Sequence, residues 1–145
     1  KFNFRHPAIS RDESKVFLDR AFRLDFERNG PSLFRLMRTM MLRWQRYRAD
    51  ADPRVRGRVG IAASQLRAGY GAALWAMERY LRAGNPGVSE RIRALRLDTE
   101  REFGMMTSAI NRVVGPALLW ASTRDARRYP SGRPREPRTF VDRRA

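Results

Sequence analysis

Apolar side chains recur along this chain at helical spacing, broken by short polar and glycine–proline stretches, and the pattern predicts five helices. The first is expected from Ser10 to Asn29. Ser10 followed by Glu13 reads as a capping box, in which the hydroxyl accepts from the Glu13 N–H and the carboxylate from the Ser10 N–H. Phe17, Ala21 and Leu24 share one stripe, which Phe22 and Phe26 extend. Asn29-Gly30-Pro31 stops this helix and starts the next.

The second helix is expected from Pro31 to Arg48. Leu33, Met37, Met40, Trp44 and Tyr47 fall on one face, with Arg35, Arg38 and Arg46 opposite and Leu42 between those arginines. The third begins at Asp52-Pro53, an N-cap with proline at the first helical position, and runs to Arg82. Val55, Val59, Ala62, Leu66, Tyr70, Ala73, Met77 and Leu81 form its apolar face. Gly60, Ser64, Ala68 and Gly71 form a second face of small residues that lets another backbone approach. Two packing faces predict a central position for this helix, and Gly69-Tyr70-Gly71 predicts a break within it.

Asn85-Pro86-Gly87 is a turn, after which Ser89 is expected to cap a fourth helix reaching Phe103, with Val88, Ile92, Leu95 and Phe103 inward. The fifth spans Thr107 to Arg128. Its Val113–Ala121 run is apolar on nearly every side and is expected to be buried, with Pro116 kinking it. From Tyr129 onward the chain reads YPSGRPREPRTFVDRRA. That density of proline and arginine predicts an extended basic arm, with Phe140-Val141 as a small anchor. The expected organisation is an all-α domain over 1–128, five helices around a long central third, and an arm over 129–145.

Lys1-Phe2-Asn3-Phe4 alternates like an edge strand with nothing to pair with, and the chain starts on Lys1 rather than Met. Both features suggest a fragment or processed product.

Charge changes the picture. The formal net charge is +16, with 29 Arg against 2 Lys. High-GC codon usage accounts for arginine in place of lysine but not for the scarcity of acids, so an anionic partner enters: nucleic acid, acidic lipid or acidic protein. The excess is uneven. The first and fourth helices balance, whereas residues 31–82 carry 11 Arg against Asp50, Asp52 and Glu78. Arg54, Arg56 and Arg58 crowd the start of the third helix, whose N-terminus already carries partial positive charge. Arg35, Arg38, Arg46, Arg54, Arg56 and Arg58 are therefore candidates for an anion-binding surface. The competing reading is a solvated face paired with nearby carboxylates.

Candidate chemistry is sparse. There is no Cys, which excludes disulfides, thiolate zinc sites and cysteine-held iron–sulfur clusters within these residues and fits a cytoplasmic setting. The single His6 precedes Pro7 with no legible partner. Asp98 and Glu102 stand at i, i+4 beside Arg101, as an ordinary surface pair. Trp44, Trp75 and Trp120 are spaced as core anchors, and the six Met read as core filler. No catalytic or metal-binding residue is assigned, whether the chain belongs to an enzyme stays open, and no run approaches the 18 or more apolar residues of a membrane span.

The stretches HPAISRDESKVFLDRAFRLDFERNGPSLFRLMRTMMLRWQRYR, DPRVRGR, LRAGYGAALWAMERYL and RRYPSGRPREPRTFV form a recognisable set. Together, and most of all through DFERNGPSLFRLMRT (Asp25 to Thr39) and Tyr47 to Arg58, the chain resembles the helical C-terminal region of bacterial cobalamin-binding radical SAM proteins. The resemblance implies a parent that uses S-adenosylmethionine, a [4Fe–4S] cluster on CxxxCxxC, and cobalamin in a separate domain. This chain has neither that motif nor the cobalamin-binding DxHxxG, so no catalytic residue carries over. The implied role is an accessory helical domain that packs on or gates the upstream catalytic domains of the same protein. The alternatives are a basic nucleic-acid-binding module, or a domain that binds an acidic protein or a membrane surface.

Overall fold

Residues 9–128 are described by the computed structural model, apart from the side chains of Arg11, Met105, Met106 and Ser108. The expected edge strand at Lys1–Phe4, His6, and the arm over 129–145 with Phe140-Val141 lie outside them. The described residues form only helices: α1 (Arg11–Asn29), α2 (Ser32–Tyr47), α3 (Pro53–Gln65), a π-helical turn (Leu66–Tyr70), α4 (Gly71–Leu81), α5 (Pro86–Phe103) and α6 (Met105–Arg128).

Local signals set most of the boundaries. At α1 the capping box closes in both directions: Ser10 N donates to Glu13 Oε2 at 2.8 Å, and Glu13 N donates to Ser10 Oγ at 3.2 Å. Gly30 ends α1 at φ +77°, and a side chain there would also meet Val88. Asp52 caps α3, accepting from Arg54 N at 2.8 Å, with Pro53 in the first turn. The expected long third helix is realised as α3, the π turn and α4 in direct succession, so the break falls at Leu66–Tyr70 as a π bulge. The start of α5 differs from expectation. Its cap is Asn85, which accepts from Val88 N at 3.1 Å, while Ser89 lies inside the helix and donates to the Glu78 carbonyl at 2.7 Å. Asn85 directly precedes a proline that needs no N–H partner, so the helix can start there.

α4 is central, packing chiefly on α6 and α5. The core is Phe34, Met37, Met41, Leu66, Leu74, Leu81, Val88, Ile92 and Leu95, with Met40, Trp44, Tyr70, Ala73, Met77 and Phe103 packed around it. On α2 the face that spacing suggested turns inward at Met37, Met40, Trp44 and Tyr47, joined by buried Phe34 and Met41, while Leu33 stays exposed. The small-residue face of the third helix is used only at its end. A Cβ on Gly71 would sit 2.4 Å from Asn111 Oδ1, whereas Gly60 faces open space and Ser64 and Ala68 are exposed. Gly115 on α6 answers from the other side, with the Trp75 ring 2.6 Å from where its Cβ would be. Two glycines thus let α4 and α6 approach closely.

α6 runs through Pro116 as one helix, and its apolar run is not buried. Val113 is 77% exposed and Trp120 62%, with Val114 and Leu118 also exposed. The helix turns Thr107, Asn111 and Gly115 toward α4, and no described element covers its opposite side. Trp120 is therefore no core anchor, while Trp44 and Trp75 are half-buried.

Candidate functional site

Glu78 is the only acid in Gly71–Leu81, an otherwise mostly apolar helix, and it is only 3% exposed. Arg96 Nε donates to Glu78 Oε2 at 2.8 Å, and Arg96 Nη1 donates to Glu100 Oε1 at 2.8 Å. Asn111 Nδ2 donates to the same Glu100 oxygen at 3.0 Å. One chain of charged hydrogen bonds therefore joins α4, α5 and α6. Arg82 reaches Glu78 at 3.4 Å and Arg79 at 3.8 Å. The Arg79 guanidinium lies 3.4 Å over the Trp75 ring. Burial pulls Arg96 down, but hydrogen bonds and charge from Glu78 and Glu100 outweigh it and leave the group above its ordinary value. Burial also pulls Arg79 down, with Glu78 opposing and the like charges of Arg96 and Arg82 adding to the fall.

The cluster borders an open groove lined by Arg79, Arg82, Arg93, Arg96, Glu78 and Glu90. Both carboxylates in its lining are held by guanidinium groups, Glu78 by Arg79, Arg82 and Arg96 and Glu90 by Arg93. The arrangement clamps three helices and offers no basic oxygen aimed at a substrate. Sequence reasoning did not single it out, although a lone acid within an apolar helical run was the available signal.

A second link ties α2 to α5. Trp44 Nε1 donates to Glu102 Oε1 at 2.9 Å, and Arg48 pairs with the same oxygen. Asp98 pairs instead with Arg101 at 2.9 Å, so Asp98 and Glu102 serve different partners.

The six candidate arginines are all exposed. Arg35 pairs with Asp25 of α1 at 2.9 Å. Arg56 donates to the carbonyls of Asp50 and Ala51, and Arg46 lies 5.2 Å over the Tyr47 ring. Arg38, Arg54 and Arg58 have no ion pair among the described residues. Arg35 and Arg46 are eleven residues apart on α2, or about 16 Å along its axis. The α3 N-terminus is already served by the Asp52 carboxylate. Arg35 and Arg56 are thus engaged within the chain, and all six stay at the surface.

Two helices instead present apolar surface. On α1, Val16, Phe17, Leu18, Phe22, Leu24 and Phe26 are all exposed. They point in several directions around the helix. α1 is tied to the bundle by polar links: Asp25 with Arg35, Asn85 Nδ2 donating to the Glu27 carbonyl at 2.8 Å, and Arg91 donating to the Arg28 carbonyl. On α6, Val113, Ala117 and Trp120 form one exposed line and Val114, Leu118 and Ala121 an adjacent one.

No described group of His, Asp or Glu is arranged to hold a metal ion, and the chain has no Cys. These residues supply no thiolate for a [4Fe–4S] cluster. No described helix is long and apolar enough to cross a membrane. Neither a family model, a curated protein nor a solved structure matches this chain.

Proposed function

We propose that this chain is an accessory helical domain that docks through α1 onto the catalytic body of a larger protein, and that the parent is a cobalamin-type radical SAM enzyme. The observation that carries the docking is the exposure of α1. Large apolar side chains exposed together mark a surface that meets a partner. Here Phe17 and Phe22 are 57% and 64% exposed. The α1 charges balance, five acids against five bases, which suits a protein surface of no marked charge. The parent rests on the resemblance through Asp25 to Thr39 and Tyr47 to Arg58. S-adenosylmethionine, the cluster and cobalamin then belong to the preceding domains, and this domain shapes or gates their entrance.

Two measurements separate the parts of this reading. The coding sequence preceding Lys1 should carry CxxxCxxC; an initiation codon directly before Lys1 overturns the parent. In the full-length protein, amide exchange across Val16–Phe26 should slow about tenfold or more relative to the isolated chain. Equal rates in the two overturn the docking, whatever the parent is.

A further inference from the structure

The outward face of α6 changes character along its length. Val113, Ala117, Trp120, Arg124 and Arg127 follow one another at i, i+4, i+7, i+11 and i+14, and all are exposed. The adjacent line is Val114, Leu118, Ala121, Asp125 and Arg128. A helical repeat keeps each set on one side, so about two and a half apolar turns lead directly into a basic end. Trp120 stands at the junction with Arg124 5.2 Å over its ring, and Arg124, Arg127 and Arg128 line a shallow groove beside it. Asp125 is the only acid in α6.

We propose that this face is a docking site for an anionic lipid surface. Aliphatic side chains enter the acyl boundary, tryptophan settles at the headgroup level, and arginines meet the lipid phosphates. The occupant is chosen by three observations. A second copy would bring another +16 of like charge to the same face. Single-stranded nucleic acid would use Trp120 and the arginines, but Val113, Val114 and Leu118 offer no ring for a base to stack on. The charge-balanced α1, by contrast, offers greasy surface without an arginine excess, so α6 and α1 suit different partners. This inference does not depend on the parent enzyme.

The test is flotation of the 145-residue chain with vesicles of phosphatidylcholine alone and of phosphatidylcholine mixed with phosphatidylserine, at low and physiological salt. The chain should float with the mixed vesicles, with Trp fluorescence shifted to the blue, and stay behind with the neutral ones. Arg124→Gln, Arg127→Gln and Arg128→Gln together should lower partitioning about a hundredfold, since each basic residue at an anionic surface contributes roughly a fivefold factor. Trp120→Ala should lower it about tenfold or more and remove most of the blue shift. All four residues are exposed, so unchanged circular dichroism is expected for both variants. Absence from the mixed vesicles overturns the proposal. So does flotation lost in Phe17→Ser/Phe22→Ser on α1 but kept in the α6 variants, or retention on single-stranded RNA without any vesicle binding.

Discussion

α1 and α4 are both helices, but for different reasons. α1 has a complete capping box and acids in its first turn, and almost none of its side chains is buried. α4 has no capping side chain, starts at Gly71 straight out of the π turn, and buries Gly71, Ala72, Leu74, Ala76, Glu78 and Leu81. Local hydrogen bonds define where α1 begins; tertiary packing holds α4. The contrast separates the two tasks of this chain: a closed interior around α4, and exposed surface offered outward by α1 and α6.

The comparison breaks most severely at Glu78. Glu78→Ala leaves Arg96 half-paired in the interior, and removing one member of a buried ion pair costs about 3–5 kcal/mol. Urea unfolding should show that loss for the domain as a whole. Glu78→Gln keeps an acceptor and should lose less. A cost under about 1 kcal/mol for Glu78→Ala would mean that the Glu78–Arg96–Glu100 chain does not clamp the bundle.

A smaller effect is expected where the helix backbones meet. Gly115→Val drives a branched side chain into the Trp75 ring and should cost about 1–3 kcal/mol. Gly60→Ala adds a methyl into open space within α3 and should stabilise by up to about 1 kcal/mol. Opposite signs for the two thermal shifts would confirm that Gly115 serves the α4–α6 contact and that Gly60 serves none. Equal signs would refute it.

Much of the all-α fold was legible because caps and breakers act locally. Ser10 with Glu13, Asn29-Gly30-Pro31, Asp52-Pro53 and the glycines around Tyr70 each announce an event within a few residues. What spacing could not fix was which apolar side of a helix finds a partner. Val113–Ala121 looks as greasy as any core segment, yet only the side bearing Asn111 and Gly115 meets α4. On α2, spacing placed Met37, Met40 and Trp44 inward but missed Phe34 and Met41, and it included Leu33, which is exposed. The interior ion network escaped for a related reason. Arg96 and Glu100 stand one turn apart on α5, but only the α4–α5 packing brings Glu78 to Arg96. The candidate arginines were legible as exposed positions, whereas the pairing of Arg35 with Asp25 was not, because it joins α1 to α2.

The gentlest probe is acid, and it should act on α1 before α4. Asp25 is held below the usual carboxylate range, first by the hydrogen bond from Asn29, against burial, and then by the charge and hydrogen bond of Arg35. Glu13 is lowered by the backbone N–H of Ser10 and then by its hydroxyl, with burial opposing. Both folded-state values lie below the unfolded ones. Their contribution is therefore fully present above about pH 5 and is lost as pH falls through the lowered values. Both groups are on the surface, so the loss should be a loosening of α1 and not global unfolding. Amide exchange corrected for intrinsic rates should show α1 protection declining in acid while α4 amides hold. Asp25→Asn should remove most of that pH dependence at the C-terminal end of α1 and leave the Ser10 end unchanged. If α1 and α4 instead lost protection together in one transition, α1 would be an integral layer of the core, and the distinction between a packed interior and an outward-facing first helix would fall with it.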